Sequence, residues 1–277
     1  PVLIREDGQY LYTLPSCIDD IDFGITHVIR GEDHVTNTAT QVEIFSAIAA
    51  YRGEGVTPIF AHHSLLVGKD GEGLSKRLGS LSIESMRESG VEPQAVTSLL
   101  ARLGTSDPVE PILEIEELAK GFDFQRLGRA PARFDMAELQ QLNAKILHIL
   151  PYNQVADRLE ALGITESLWA AVKGNLSKLE EVSQWKDIVE GVISPVISEE
   201  DKEVAMTAAQ LVPDEIAADS WTTLTAAVKE KTGKKGKALF MPLRLALTGL
   251  SHGPEMGPLF MLIGADKAKA RLQGQAA

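Results

Sequence analysis

A lysine–arginine pair in a glycine-rich segment is the first candidate for chemistry in this sequence. The segment reads DGEGLSKRLGS, and it places Ser75, Lys76 and Arg77 directly after Gly73 and Leu74. Glycine has no side chain to restrict the backbone, so this density of glycine predicts a mobile loop. Such a cationic loop could close over the phosphates of a nucleotide, although a solvated basic turn is the alternative on charge alone. The spacing excludes a Walker A loop, in which lysine directly follows the second glycine.

A second polar cluster spans residues 30–34 and reads RGEDH. Its arginine, Arg30, leaves a run of β-branched residues, and a guanidinium fork can donate two parallel hydrogen bonds to one carboxylate. Arg30 is therefore a candidate for holding a carboxylate ligand. An ion pair with Glu32 or Asp33 is the alternative, and the residues alone leave both open.

These clusters need a scaffold, and residues 1 to about 82 predict an α/β one. The β-branched run at residues 25–29 is typical of a buried parallel strand, and residues 59–67 predict the next strand. Between them lies a helical pattern with Thr38 and Gln41 at the spacing of a capping box. Strand, helix and strand predict a βαβ unit with a right-handed crossover. Since ligands of such sheets bind at the carboxyl ends of the strands, both polar clusters are expected at one edge.

From about residue 83 onward the pattern is helical, with boundaries expected near residues 82, 150 and 195. A helix that starts near Pro93 and another that follows Asp135 have the clearest apolar faces. Further helices are predicted at residues 154–162, 166–172, 199–211, 220–231 and 237–248.

Several other polar or aromatic residues have simpler explanations. The acidic residues 19–22 lack the spacing of a calcium loop and predict a solvated turn. His62 and His63 are neighbours on a predicted strand, so they face opposite sides and cannot chelate one metal ion together. Each is expected to be structural, although one could face the ligand cleft. Residues 229–244 carry a net charge of +5, which indicates a solvated face unless a nucleic acid is the partner. Three tryptophans are expected to anchor helical cores: Trp169, Trp185 and Trp221.

The totals of the chain bound the class of protein. It has 277 residues and a formal net charge of −12, which argues against a non-specific nucleic-acid coat. Its one cysteine, Cys17, excludes an internal disulfide and a cysteine-built zinc site. No run approaches the roughly 20 apolar residues that cross a bilayer, and the first residues do not resemble a secretory signal. We therefore expect a cytoplasmic protein without a membrane partner and without zinc.

Four stretches together resemble the glutamyl-tRNA synthetases, a family of class I aminoacyl-tRNA synthetases. They read LYTLPSCIDDIDFGITHVIRGEDHVTNTATQVEIFSAI, GEGLSKRLGS, FDMAELQQLNAKIL and LRLALTGLSHGPEM, in the family's order. The long VIRGEDHVTNT stretch and the ordered helical half make the resemblance specific, whereas GLSKR alone is a weak motif. The resemblance implies ATP-dependent attachment of L-glutamate to tRNA through a glutamyl-adenylate, with Mg²⁺ expected beside ATP.

The resemblance also implies roles for single residues. GLSKR stands in the place of the second class I signature, with Lys76 and Ser75 as its catalytic residues. The family's first lysine of that signature is Gly73 here, so Lys76 and Arg77 would carry the phosphate contacts. The positions that correspond to ATP contacts are Gly73, Leu74, Ser75, Lys76, Arg77 and His34. Those that correspond to glutamate contacts are Tyr12, Ser16 and Arg30. Ser16 stands where some relatives have Asn, and His34 where some have Trp.

The same resemblance divides the chain into domains: a C-terminal part of the catalytic domain at residues 1–82, a stem-contact domain at 83–150, and two anticodon-binding helical bundles at 151–194 and 195–277. In the second bundle, tRNA is expected to contact Lys231, Lys234, Lys235 and Lys237.

The other class I signature, an HIGH-like motif, is absent together with the first half of the nucleotide fold. We therefore expect a fragment that forms no adenylate by itself. Two alternatives stay open: a non-discriminating enzyme that charges the glutamine tRNA, and a tRNA-binding module without catalysis.

Overall fold

A computed structural model describes residues 2–53, 55, 57–74 and 81–277 of the chain. The chain forms two compact units. The first unit consists of Pro1–Ser82, Leu99–Val109 and Leu118–Met136, and the second unit of Ile83–Ser98, Glu110–Glu117 and Ala137–Ala277. The basic triplet of the glycine-rich loop, residues 75–77, lies outside the described residues.

The predicted βαβ arrangement is present in the first unit. Helix α1 (Thr13–Asp22) precedes strand β1 (His27–Gly31), which leads through helix α2 (Val35–Arg52) to strand β2 (Ile59–His63). Strands β1 and β2 are parallel, and their register pairs His27 with Ile59 and Gly31 with His63. The carboxyl ends of the two strands therefore lie side by side, as the sequence predicted.

The strand predicted at residues 59–67 is divided in two. Strand β2 ends at His63, and a separate strand β3 (Leu66–Gly68) pairs in parallel with β4 (Ala132–Phe134). Since β4 comes from a distant part of the sequence and has only three residues, it was not predicted. A strand this short has too few residues to show an alternating pattern.

Two local predictions are wrong. The acidic residues 19–22 belong to helix α1 and not to a solvated turn, because Cys17 and the neighbouring apolar positions give that segment a buried helical face. The capping box does not form either. Helix α2 already begins at Val35, so Thr38 lies one turn inside it, and its hydroxyl donates to the carbonyl of His34 at 3.1 Å.

The chain from residue 83 onward is helical apart from β4, as predicted. Its first helices are α3 (Ile83–Glu88), α4 (Pro93–Arg102), α5 (Ile115–Lys120), α6 (Met136–Ile149), α7 (Ala156–Ala161) and α8 (Glu166–Val172). The later ones are α9 (Val182–Glu190), α10 (Lys202–Leu211), α11 (Ser220–Thr232), α12 (Lys237–Thr248), α13 (Met256–Ile263) and α14 (Ala265–Leu272). Helices α8 and α12 agree with the prediction residue for residue. Among these described helices, none has the length and apolarity needed to cross a bilayer.

One hydrophobic core runs through the second unit, from Leu147 to Leu272. The tryptophans anchor it as predicted: Trp169 and Trp185 are buried, and Trp221 packs against Phe260 with ring centroids 5.5 Å apart. The indole nitrogen of Trp169 donates to the carbonyl of Leu150 at 3.1 Å, so burial of the ring leaves no polar atom unsatisfied.

Two buried polar side chains fasten loops of the second unit. Asn143 accepts from the backbone nitrogen of Glu92 at 2.7 Å and donates to the carbonyls of Gly90 and Ser177. Arg271 has no exposed surface and donates to the carbonyl oxygens of Leu247, Gly191 and Ala277 at 2.8–3.0 Å. Burial lowers the pKa of the Arg271 guanidinium. Three carbonyl groups thus replace the water that this cation loses.

We expect Arg271→Met to lower the free energy of unfolding by about 3 kcal/mol, because the oxygens of Leu247, Gly191 and Ala277 each lose a hydrogen bond from the guanidinium. Urea denaturation followed by circular dichroism measures the change. Lys269→Met on the same helix is the control, since Lys269 pairs with a fully exposed Asp214 and such a surface pair contributes little. An unfolding midpoint of the Arg271 variant equal to that of the control would contradict the assigned role.

Candidate active site

Arg30 lies next to the last residue of β1 and points its guanidinium at helix α2. Its Nη2 donates to Thr38 Oγ1 at 2.6 Å and to Gln41 Oε1. The guanidinium also lies over the ring of Phe60, with Cζ 5.5 Å from the ring centroid. These contacts come from β1, α2 and β2, so the βαβ unit itself fixes the position of the cation.

Arg30 has no carboxylate partner among the residues that the structure describes. Glu32 accepts from the backbone nitrogen of Leu65 at 3.4 Å, and Asp33 lies 3.8 Å from the His34 ring. The alternative of an ion pair with Glu32 or Asp33 is therefore wrong. The Nε of Arg30 is buried and also lacks a partner in the described part of the chain. A half-buried cation held only by neutral groups is suited to an anionic ligand.

Gln41 connects Arg30 to helix α1. Its side chain is 1% exposed, and its Nε2 donates to Ser16 Oγ at 3.2 Å while Oε1 accepts from Arg30. Ser16 in turn donates to the carbonyl of Thr13 at 3.2 Å. The predicted site residues Ser16 and Arg30 are thus joined through one buried amide.

His62 supports the same cluster from β2. Its Nε2 lies 2.9 Å from Thr38 Oγ1. The Thr38 oxygen also lies 3.1 Å from the carbonyl of His34 and accepts from Arg30. One hydroxyl thus connects the guanidinium, the ring of His62 and the start of α2.

Tyr12 and His34 form the exposed side of the site. Their ring centroids lie 6.3 Å apart with the planes tilted by 59°. Tyr12 is largely exposed, and His34 is fixed by a 3.2 Å contact between its Nδ1 and the amide of Asn37. The four predicted residues Tyr12, Ser16, Arg30 and His34 consequently belong to one cluster of the first unit.

Two groups of α1 behind the cluster have pKa values above their usual ones. Burial, and next the charge of Asp20, raise the pKa of the Cys17 thiol, while hydrogen bonds with Ser16 and Gln41 and the charge of Arg30 oppose that rise. Burial raises the pKa of the Asp20 carboxyl, and the charge of Arg30 opposes that rise. Burial therefore disfavours negative charge on this side of α1 more than Arg30 favours it.

The glycine-rich loop is described only up to Leu74. The backbone nitrogen of Gly68 is already used within the loop, since it donates to the carbonyl of Glu72 at 2.8 Å. Gly73 forms an isolated antiparallel β-bridge with Val67 of β3. Lys69 pairs with Asp135 at 2.8 Å. Gly73 and Leu74 thus follow a tight turn after β3. The predicted phosphate contacts of Ser75, Lys76 and Arg77 lie outside the described residues.

A separate basic surface lies at the turn between α11 and α12. The four lysines predicted to contact tRNA are all exposed: Lys231, Lys234, Lys235 and Lys237. Gly233 and Gly236 have φ values of +70° and +57°, so the turn between the helices needs glycine at these positions. Arg244, about two turns further along α12 than Lys237, is half-buried and donates to the carbonyl of Pro254 at 2.7 Å. We call the four lysines the lysine surface.

Sequence reasoning missed the roles of Gln41 and Thr38 and treated His62 as structural. The spacing of Thr38 and Gln41 carried the signal, since both fall on the first turns of a helix that follows a strand end. The same spacing also fits a capping box, and only the start of α2 at Val35 distinguishes the two.

Among the described residues, no group of three His, Cys, Asp or Glu side chains could hold a metal ion.

A parallel βαβ unit with an unpaired cation at its strand ends, followed by a helical half, is the arrangement of a nucleotide-binding enzyme fold with an appended helical region. Residues 1–141 match the family model of the catalytic domain of class I tRNA synthetases for E and Q. Residues 196–276 match the model of an anticodon binding domain. The chain therefore belongs to the class I tRNA synthetases of the E and Q family.

Curated relatives and solved structures agree with this assignment. The chain is 53% identical to glutamate–tRNA ligase 1 of Maricaulis maris, over all of the chain and 62% of that protein. It is 54% identical to glutamate–tRNA ligase 2 of Sphingopyxis alaskensis, over 98% of the chain and 61% of that protein. The glutamate-tRNA synthetase structure from Elizabethkingia anophelis matches 98% of the chain and 61% of its own with a TM-score of 0.76 at 22% identity, which shows a shared fold. The chain thus spans about three fifths of these proteins.

We expect Arg30 and Gln41 to be energetically coupled. Gln41→Leu leaves a half-buried charge with one acceptor fewer, so the free energy of unfolding should fall by about 2 kcal/mol. The same change in an Arg30→Met background should cost at least about 1 kcal/mol less. Urea denaturation of the two single variants and the double variant measures the coupling. Repeating the cycle with Arg5→Met, which is distant from Gln41 in sequence and exposed, gives the control; equal coupling in both cycles would contradict the contact.

Proposed function

We propose that the protein containing this chain attaches L-glutamate to tRNA in an ATP-dependent reaction. The observation that carries the proposal is the fixed guanidinium of Arg30, which lacks a carboxylate partner within the described residues and lies at the carboxyl ends of parallel strands. Membership of the E and Q family and the names of the relatives support glutamate as the amino acid.

In this proposal Arg30 holds one carboxylate of glutamate, and Tyr12 and Ser16 form the walls around it. A carboxylate oxygen of glutamate attacks the α-phosphorus of ATP, the bond to the bridging oxygen of the β-phosphate breaks, and pyrophosphate leaves. A ribose hydroxyl at the tRNA 3′ end then attacks the acyl carbon, and AMP leaves. Fixing the carboxylate supplies orientation, because the reacting atoms must meet in one geometry.

The ATP side of the reaction is assigned to the loop and to His34. The charge that develops on the departing pyrophosphate needs preorganised cations, and Lys76 and Arg77 would supply them. Gly73, Leu74 and Ser75 would set the backbone of the loop against the phosphates, with Ser75 and Lys76 taking part in catalysis. Mg²⁺ is expected to be bound through the phosphates of ATP. These roles follow from the family resemblance of the GLSKR segment.

The helical half is proposed to bind tRNA. The family model of the anticodon binding domain covers the lysine surface, which supports a contact with the phosphates of the anticodon arm there. In this proposal residues 1–82 complete the catalytic domain, residues 83–150 contact the tRNA stem, and residues 151–194 and 195–277 form the anticodon-binding part. A protein that charges tRNA works where translation occurs, so we also assign it to the cytoplasm.

Charging of the glutamine tRNA and tRNA binding without catalysis are the alternatives, and none of the comparisons favours them. Nothing in Tyr12, Ser16, Arg30 or His34 selects one tRNA over another, because these residues surround the amino acid. Charging assays with both tRNAs distinguish the first alternative. The second alternative predicts tight tRNA binding without formation of glutamyl-tRNA.

We expect the protein expressed from its complete gene to charge glutamate tRNA with labelled L-glutamate. Arg30→Lys should reduce kcat/KM at least 100-fold, because lysine cannot make the bidentate contact. Residues 1–277 alone should show no ATP–pyrophosphate exchange with glutamate and tRNA. Arg5→Lys serves as the control for a change at an exposed arginine. No charging by the complete protein, or full activity of Arg30→Lys, would rule out the proposal.

We expect Lys→Gln changes at Lys231, Lys234, Lys235 and Lys237 to weaken tRNA binding to residues 1–277. The quadruple variant should also flatten the plot of log affinity against log salt concentration by about 3, since each phosphate contact contributes nearly one to the slope. Fluorescence anisotropy with labelled tRNA at several salt concentrations measures both. A quadruple Lys→Arg change at the same four positions keeps the charge and should keep the slope of the unaltered chain. An unchanged slope in the Lys→Gln variant would exclude the lysine surface from the interface.

A further inference from the structure

Two exposed aromatic rings of the first unit take no part in the site described above. Phe122 and Phe124 are 52% and 54% exposed. Their ring centroids lie 4.9 Å apart, and the rings meet edge to face at 81°. Residues 120–134 around them carry a net charge of +3, in a chain whose total charge is −12. Exposed apolar rings within a basic segment indicate a surface that contacts a partner.

The backbone holds these rings in place. The side chain of Asp123 accepts from the backbone nitrogen of Gln125 at 2.9 Å and closes the 3₁₀ turn Phe124–Arg126. The backbone nitrogen of Gly128 donates to the carbonyl of Gly104 at 2.7 Å, and a side chain at Gly128 would come within 3.1 Å of that oxygen. A ring on a fixed turn loses little conformational freedom when a partner binds.

Arg126 and Arg129, which follow the two rings in the sequence, differ in their partners. Arg126 donates to Asp107 at 2.9 Å, and Arg102 shares the same carboxylate at 3.3 Å. Arg129 is exposed and has no carboxylate partner in the part of the chain that the structure describes. Arg126 therefore fastens the segment, whereas the charge of Arg129 is available to an external anion.

This segment adjoins the candidate active site. Phe124 and Arg129 line a cavity of about 390 Å³, whose other wall includes Glu32 and His62. His62 contacts Thr38, which holds Arg30. A polymer bound along Phe122, Phe124 and Arg129 would thus approach the strand ends where Arg30 lies.

We propose that Phe122, Phe124 and Arg129, which we call the ring face, bind unpaired nucleotides of RNA. Bases stack on exposed aromatic rings without regard to their sequence, and a nearby cation pairs with the phosphates. Because Asp107 offsets the charge of Arg126, the charge that favours an anionic polymer here over a second apolar protein surface is that of Arg129. The identification of this RNA as tRNA rests on the proposed function. The predicted affinity for unpaired RNA is independent of that function.

The first test measures binding of a labelled 12-nucleotide unpaired RNA and of tRNA to residues 1–277. Phe122→Leu/Phe124→Leu keeps apolar side chains but removes both rings, so affinity should fall about tenfold or more for each RNA. Phe23→Leu/Tyr51→Leu removes two rings that are even more exposed elsewhere in the same unit. This control should change affinity less than twofold.

Salt dependence separates stacking from charge. The double leucine variant should keep the slope of log affinity against log salt concentration, because it removes no charge. Arg129→Gln should reduce the slope for the unpaired RNA by about 0.7, the value of one phosphate contact on a single strand. Arg5→Gln is the matched control for an exposed arginine and should leave the slope unchanged.

A conservative variant keeps the test decisive if leucine disturbs the turn. Phe124→Trp retains a stacking surface, so it should bind within about twofold of the unaltered chain, and its added tryptophan fluorescence should be quenched by RNA. Equal affinities of the double leucine variant and its control, or no quenching in Phe124→Trp, would overturn the proposal, as expected if protein covers this face. Loss of glutamate charging with intact quenching would instead contradict only the proposed function.

Discussion

The site depends on one interaction: neutral groups hold the Arg30 guanidinium in place, with no carboxylate partner among the residues that the structure describes. Removing a cation from water is unfavourable unless its lost hydrogen bonds are replaced. Arg30 obtains them from Thr38 and Gln41, which are neutral, and from the face of Phe60. Neutral acceptors fix the side chain without forming an ion pair with it. A carboxylate in the same place would hold the arginine equally well and would compete with an anionic ligand.

This constraint explains why the βαβ connection matters for chemistry. Arg30 belongs to β1 and its acceptors to α2, and the His62 ring that contacts Thr38 belongs to β2. The crossover packs the helix on the strand pair, so three separate segments converge on one guanidinium. A change in the strand register would move Arg30 and His62 apart, since the two residues face each other as partners in the ladder. The topology therefore supplies orientation before any ligand arrives.

The sequence predicted the parts of the structure that have a long repeating pattern. Helices α8 and α12 form at the predicted residues, and the parallel strand pair forms, although β1 lies two residues later than predicted and β2 already ends at His63. Strands β3 and β4 have three residues each and depend on pairing between distant segments, which a local pattern cannot reveal. In the site, Arg30 was predicted from its chemistry and position. Its supports were not, because Thr38 and Gln41 have the same spacing in a cap as in an inward-facing pair, and tertiary contacts decide between them.

Because the net charge of the chain is −12, its two basic segments are the places where contact with RNA is most favourable. An anionic protein repels RNA at long range, but salt limits that repulsion to about 8–10 Å. Local cations then decide where a polyanion can make contact. Residues 120–134 and 229–244 both have positive local charge, and they differ in kind: the first combines arginine with exposed rings, and the second consists of lysines on a glycine-containing turn. Rings recognise the faces of unpaired bases, whereas lysines on a turn recognise phosphates of any strand.

Ser16 and His34 join the same network through their neighbours. The buried amide of Gln41 donates to the Ser16 hydroxyl at 3.2 Å, and the Thr38 hydroxyl contacts the carbonyl of His34 at 3.1 Å. The His34 ring lies beside that of Tyr12, with the ring centroids 6.3 Å apart. A change at Ser16 or His34 would therefore act on Arg30 through Gln41 and Thr38, the two neutral acceptors that hold the guanidinium.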